Sequence, residues 1–255
     1  MMKRIKMPKI ILFFSIFLFF SISAQAEEPD LTEIVDEIDK LYRSQTSYAL
    51  IEMTITKPFW NKVLRMEAWT EGMKKAFYYI QSPKKAKGMA TLRIGNEMWT
   101  FFPQINKIME VPPSMMMGSW MGSDFTNDDI VKESTFLEDY DRRLLTAEGK
   151  APDYHYIELR PKESTVTVWG KIEIKVRKDT YTPVQIDYFD EKGRKIRIQT
   201  FSDIKDFNGR KLPSRMDMIP FNKKGRKTTI RYLEADFDKE LPFDTFSLSN
   251  LKRIR

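Results

Sequence analysis

From Leu31 the chain repeats at helical spacing. In DLTEIVDEIDKLYR, the apolar residues Leu31, Ile34, Val35, Ile38, Leu41 and Tyr42 form one stripe, and Glu33, Asp36, Glu37 and Lys40 take the other side. Asp30 stands where an N-cap is expected and Glu33 lies three residues on, as in a capping box. The pattern predicts an amphipathic helix with one side packed on something apolar. After Ser47 the period falls to two: Ala49, Ile51, Met53 and Ile55 alternate with Leu50, Glu52, Thr54 and Thr56. Further strand-like runs follow at 62–70, 74–81, 88–94 and 97–102. The turn signals Lys57-Pro58, Glu71-Gly72, Ser82-Pro83 and Gly95-Asn96 separate them. The alternation returns near Arg143 and is clearest in KIEIKVRK, where Ile172, Ile174 and Val176 interleave with Lys171, Glu173, Lys175 and Arg177. One face buried and one face wet suits an antiparallel sheet.

A turn motif then recurs three times at a spacing of 16 residues: Lys192-Gly193-Arg194-Lys195, Asn208-Gly209-Arg210-Lys211 and Lys224-Gly225-Arg226-Lys227. Each glycine can take the positive φ of a tight hairpin, so the spacing predicts a meander. The chain therefore reads as one long antiparallel sheet with a helix in front, interrupted once, over residues 103–141.

That interruption contains PPSMMMGSWMGSDF, with four methionines, a tryptophan and two glycines. As a helix over Ser114–Ser123, it would set Met116, Met117, Trp120 and Met121 on one side and small residues mostly on the other. Two glycines cost about 1 kcal/mol each relative to alanine, so the helix should depend on what its Met/Trp face touches. Methionine adapts to partners of variable shape. The face is thus either a soft flap over an apolar groove or core beneath a crossover loop. Asp124, Asn127, Asp128 and Asp129 lack EF-hand spacing and have no nearby histidine. They read instead as the capped first turn of the next helix, with Thr126 or Asn127 as its cap.

Residues 1–26 stand apart. Lys3, Arg4, Lys6 and Lys9 precede an Ile/Leu/Phe run from Ile10 to Ile22, and Ala24-Gln25-Ala26 offers a small-x-small cleavage pattern. This predicts a secretory signal peptide cut after Ala26, leaving 229 of the 255 residues as a single domain, 27–255. Four of the 43 Lys/Arg fall in the leader, so the formal +7 drops to +3, which is no nucleic-acid footprint. The sequence has no cysteine, so it offers neither a lipid attachment thiol nor a disulfide. The one histidine, His155, alternates in phase with Ile157 and Leu159. No G-x-S-x-G, G-x-G-x-x-G or G-K-[ST] motif occurs. Neither catalysis, a metal nor a cofactor is expected.

The order MEAWTEGMKKAFYYIQSP followed by LRIGNEMWTFFPQINKIMEV resembles the periplasmic outer-membrane lipoprotein-sorting carriers of the LolA-like family. Their pattern is a basic-aromatic strand and then D-G-x-x-L-W-x-Y-x-P. Gly95, Met98, Trp99, Phe101 and Pro103 occupy or border the matching places. MMMGSWMGSDFTNDD looks like the signature of one subfamily. The resemblance implies a mainly β fold, an incomplete antiparallel β-barrel or half-barrel. It would curve around an apolar cavity, with the N-terminal helix and a helical lid as covers. It also implies a periplasmic carrier that binds the acyl chains of a lipoprotein or lipid and moves it towards the outer membrane. Trp69, Phe77, Trp99 and Phe101 are then candidate wall residues, with Trp60 and Phe102 considered beside them. Met116, Met117, Trp120 and Met121 are candidate lid residues. Trp99 and Phe101 share one strand face and Met98 and Phe102 the other, so only one set can line the cavity. The founding carriers use an arginine to control lid closure. The nearest match here is Lys74-Lys75, and lysine lacks the planar fork of arginine. Subfamily members are associated with RND-type exporters. The implied partners are therefore an inner-membrane exporter of that kind and an outer-membrane acceptor, with no nucleic acid, and the protein is expected as a monomer. The alternatives are an adaptor or sensor of the same fold that binds such an envelope protein, and a hydrolase using His155.

Overall fold

The computed structural model describes residues 29–132, 136–145, 149, 151–165 and 167–253. The expected signal peptide, residues 1–26, lies outside the described residues, and no helix among those described is long and apolar enough to cross a membrane. Helix α1 (Leu31–Lys40) forms as its periodicity predicts: Asp30 Oδ1 accepts the backbone N–H groups of Thr32 (2.8 Å) and Glu33 (3.3 Å), and Ile34, Val35 and Ile38 are buried.

Among the described residues thirteen strands follow: β1 (Thr46–Lys57), β2 (Trp60–Glu71), β3 (Lys75–Ser82), β4 (Ala90–Ile94), β5 (Glu97–Phe102), β6 (Lys107–Glu110), β7 (Tyr140–Leu144), β8 (Tyr154–Pro161), β9 (Lys171–Arg177), β10 (Pro183–Phe189), β11 (Lys195–Phe207), β12 (Arg210–Pro220) and β13 (Lys227–Phe237). They make one antiparallel sheet in the order β6-β5-β4-β3-β2-β1-β13-β12-β11-β10-β9-β8-β7. Among the described residues, only the β1–β13 pairing joins strands distant in sequence. The three Gly-Arg-Lys turns fall between β10 and β11, β11 and β12, and β12 and β13, so the meander is as expected. Among the described residues β6 and β7 end the sheet without pairing to each other. The sheet is thus the unclosed half-barrel that the resemblance implied.

β6 and β7 flank the interruption. The chain leaves the sheet at one free edge and returns at the other, and of the residues between, 111–132 and 136–139 are described. Within them α2 (Asn127–Lys132) and α3 (Phe136–Asp139) are short helices. Two differences from the sequence pattern occur here. β6 lies inside the expected interruption, because an edge strand with an almost wholly exposed KIME run carries no burial signal. The expected single helix over Ser114–Ser123 does not form. In its place stand two 3₁₀ turns, Pro113–Met115 and Trp120–Gly122, with Met121 in the left-handed region at φ 51°. Serine chemistry explains the break. Ser123 Oγ donates to the Trp120 carbonyl at 2.7 Å and accepts the Phe125 N–H at 3.1 Å, and Ser119 Oγ bonds the Ser123 carbonyl. These side chains give the backbone partners outside a helix. Gly118 is required for a second reason: a Cβ there would meet the Met115 carbonyl oxygen at 2.9 Å.

Of the four apolar clusters among the described residues, three follow from strand parity. One lies on the inner face of β1–β3 and holds Met53, Met66, Met98 and Trp120. A second packs α1 against Ile157, Leu159, Ile172 and Ile174 of β8 and β9. The third lies on the outer face of β3–β5, where Phe77, Leu92 and Phe101 are capped by Leu251 of a C-terminal 3₁₀ turn, Asn250–Lys252.

Candidate functional site

A cavity of about 150 Å³ lies between the concave sheet and the segments that cross it. Ile51, Met53, Met66 and Tyr78 supply one wall, and Ile172, Ile186, Met216, Met218 and Ile230 supply the other. α1 closes one side through Ile38, and Trp120, Phe125 and Ile130 form the ceiling. The lining is mostly apolar, as a ligand pocket usually is. Its volume is that of a benzene-sized group, and Asp129, Arg197 and Gln199 add polar groups to its lining.

Trp120 is the centre of that cover. It is 3% exposed, its ring meets Tyr78 edge-on at 5.0 Å, and its Nε1–H points at Thr91 Oγ1, 3.4 Å away. Phe125 packs against Met216 and Met218. The methionine run folds back on α2 through backbone bonds from Asn127 to Gly118 (2.9 Å) and from Asp128 to Met116 (2.8 Å).

Two ion pairs tie the cover to the sheet. Thr126 and Asp129 form a reciprocal cap at the start of α2: Thr126 N–H donates to Asp129 Oδ2 (2.7 Å), and Asp129 N–H donates to Thr126 Oγ1 (3.0 Å). The cap is as the sequence predicts, but the same carboxylate also receives Arg197 of β11 in a fork, at 2.7 and 2.5 Å. The guanidinium carbon lies 4.5 Å from the Trp169 ring centre and 4.3 Å from that of Tyr188, a stacking that lysine could not reproduce. Burial pushes the Asp129 carboxyl up. The charge and hydrogen bonds of Arg197, with those of Thr126, outweigh it and hold the carboxyl below the usual aspartate range. Burial likewise works against the Arg197 cation, and Asp129 more than restores it. The second pair is Arg226 with Asp124, at 2.7 Å, and Thr228 Oγ1 donates to the other Asp124 oxygen at 2.9 Å. Asp124 is 2% exposed at its side chain.

Of the sequence-predicted site residues, Trp120 lines the cavity. Met116 and Met121 are half-buried against the inner cluster, and Met117 is 48% exposed. The single methionine face required a helix, and the 3₁₀ breaks disperse it. Trp69, Phe77, Trp99 and Phe101 do not line the cavity but lie in the outer cluster beneath Leu251 and Phe246. Parity decides this: Met66, Tyr78 and Met98 point inwards, so their neighbours along each strand point out. Trp60 is exposed at the start of β2, and Phe102 ends β5 half-buried. Lys75 pairs with Glu71 at 2.6 Å and faces Phe246, and Lys74 is exposed beside it. The groups that bind cover to sheet are instead Arg197 and Arg226. Their signal in the sequence was faint. Arg197 interrupts an inward series shared with Gln199 and Phe201 of β11, and Asp124 and Asp129 have the profile of ordinary capping residues.

His155 does not line the cavity. Burial, and then Lys178, push its imidazole pKa down. Among the described residues, no group of His, Cys, Asp and Glu could hold a metal ion.

The fold has close structural counterparts. A DUF1329 family protein from Desulfovibrio piger superposes with a TM-score of 0.77 at 22% identity, covering 86% of this chain and 97% of its own. A domain assigned to outer membrane lipoprotein sorting, from Vibrio parahaemolyticus, gives 0.74 at 21% identity, covering 87% and 98%. A LolA superfamily protein from Nitrosomonas europaea gives 0.70 at 20% identity, covering 86% and 97%. No curated protein matches the chain in sequence. A family model described as "uncharacterized protein" matches residues 72–253. The chain belongs to that family, and its fold is the LolA-like fold that it shares with these structures.

Proposed function

We propose that the protein is a periplasmic carrier. It takes an acyl chain of a lipoprotein or lipid between the concave sheet and the cover and moves it towards the outer membrane. The observation that carries this reading is the apolar cavity roofed by Trp120 and Phe125, under a segment tied to the sheet by Asp129–Arg197 and Asp124–Arg226. Each CH₂ withdrawn from water contributes about 0.8 kcal/mol, so an apolar wall is enough to hold a chain. The small volume of the present cavity gives the cover its role: the chain replaces Trp120 and Phe125 against the sheet, and release returns them. The lipoprotein-sorting assignment of the Vibrio parahaemolyticus domain, which shares the fold, supports the same reading.

Native mass spectrometry of the exported protein, purified without detergent, tests it. A mass increment that extracts into organic solvent, or stoichiometric uptake of added lysophospholipid, is expected. A bare mass with no uptake contradicts the carrier reading. It would leave the fold as an adaptor for an envelope protein such as an RND-type exporter.

A further inference from the structure

Hairpins in an antiparallel meander alternate between two rims. The β1–β2, β3–β4, β5–β6 and β12–β13 connections stand next to one another on one rim, which the β8–β9 and β10–β11 connections continue, and contacts draw the first four together. A Cβ on Gly225 would stand 3.3 Å from Pro58, and one on Gly88 would stand 3.5 Å from Pro103. The Gln104 side chain donates to the Lys85 carbonyl at 2.9 Å. Trp60, Lys62 and Lys85 border a dent floored by Pro83, Ala86 and Met89.

This rim combines two properties that are costly in water together. Four large apolar side chains stand exposed on it: Phe59 (98%), Trp60 (46%), Ile105 (57%) and Phe221 (54%). These four adjoining segments, 57–62, 83–89, 103–107 and 221–227, hold ten Lys/Arg and no Asp or Glu, whereas the β8–β9 and β10–β11 connections further along the rim carry Glu163, Asp190 and Glu191. Two of these cations have acidic neighbours: Arg226 pairs with Asp124, and Lys227 lies 3.8 Å from Asp217. The rest form no ion pair among the described residues. Their crowding is visible at Lys62, whose ammonium pKa is pushed down by burial and then by Lys57 and Lys85. The opposite rim is mixed, with Glu71, Asp206, Asp236 and Asp238 among its cations.

We propose that the basic rim docks the protein on an anionic phospholipid surface, with Phe59, Trp60 and Phe221 entering the headgroup layer and the loop lysines meeting lipid phosphates. The charge is complementary, at about 1 kcal/mol for each cation near such a surface. Aromatic side chains favour that interface. The apolar tips sit on separate hairpins along one rim, so a soft plane can accept them all, whereas no single groove joins them for a peptide. The inference concerns the outer rim and stands independently of what the cavity holds.

Co-sedimentation with vesicles tests it. The protein, exported in a Gram-negative host and recovered without detergent, is mixed with vesicles of phosphatidylcholine alone or with added phosphatidylglycerol. Binding is expected only to the anionic vesicles and should weaken as salt rises. The variants Phe59→Ser/Phe221→Ser and Lys84→Glu/Lys85→Glu/Lys223→Glu/Lys224→Glu should each bind about tenfold or more weakly while unfolding at the parent temperature. The cysteine-free chain allows a single environment-sensitive dye at Phe59→Cys, and its emission should shift to the blue on anionic vesicles. Absence of binding, equal binding to neutral vesicles, or binding unchanged by both variants overturns the proposal.

Discussion

Arg197 reaches from β11 to Asp129 at the start of α2, placing both guanidinium Nη atoms on both carboxylate oxygens at 2.7 and 2.5 Å, with its side chain only 6% exposed. One contact thus joins the wall of the cavity to its cover. Removing one partner strands the other charge in a buried site, and that typically costs about 3–5 kcal/mol. Asp129→Asn is therefore expected to lower the urea midpoint by a corresponding amount. The double variant Asp129→Leu/Arg197→Met should recover most of the loss, because it strands no charge. Denaturant unfolding of the three proteins decides it.

The same pair sets a pH dependence. The folded Asp129 carboxyl lies below its ordinary value of 3.8. Its contribution to stability is therefore complete above that value and is lost as the pH falls through the lower folded value. Stability should not vary with this group between about pH 5 and pH 8. It should fall in stronger acid, and less steeply in Asp129→Asn than in the parent, as urea midpoints across the acid range would report.

Trp120 and Met117 separate under substitution. Trp120 roofs the cavity, whereas Met117 is 48% exposed. Trp120→Ala is expected to cost about 3–5 kcal/mol, as large-to-small core changes do. Trp120→Phe should cost less, and in a folded Trp120→Phe protein the affinity for an acyl probe should change. Met117→Asp should leave both stability and probe affinity close to the parent. Calorimetric titration with a lysophospholipid gives the affinities.

Phe101 tests the outer face. It is 8% exposed, and it packs with Phe77 and Leu92 under Leu251. Phe101→Leu should destabilise by about 1 kcal/mol or more, as a poorly matched core swap, with acyl-probe affinity unchanged. A loss of affinity without a loss of stability would show that the outer cluster is a binding surface.

How far the chain could be read in advance follows from where burial is one-sided. α1, the alternation of β1 and β9 and the Gly-Arg-Lys turns were all legible, because each has a clean period or a demanding turn residue. The half-barrel came from the resemblance carried by Met98, Trp99, Phe101 and Pro103. Which face of those strands lines the cavity was not legible. Both faces are apolar there: the C-terminal Phe246 and Leu251 bury the outer one, and alternation carries no signal when both sides are covered. The methionine run read as a helix because its spacing permits one, while the competing Ser119 and Ser123 side-chain bonds leave no periodic trace. The Arg197–Asp129 contact spans 68 residues, and nothing local in either stretch announces the other.

The most direct measurement is quenching of tryptophan fluorescence by a lysophospholipid brominated along its acyl chain. A chain in the cavity lies against Trp120 and far from Trp99, which packs on the outer face. Saturable quenching is expected in the parent and in Trp99→Phe; it should be reduced in Trp120→Phe, where Trp169 still lines the cavity, and largely lost in Trp120→Phe/Trp169→Phe. Quenching that survives in Trp120→Phe/Trp169→Phe and disappears in Trp99→Phe, or no saturable quenching at all, would contradict a cargo site beneath the cover.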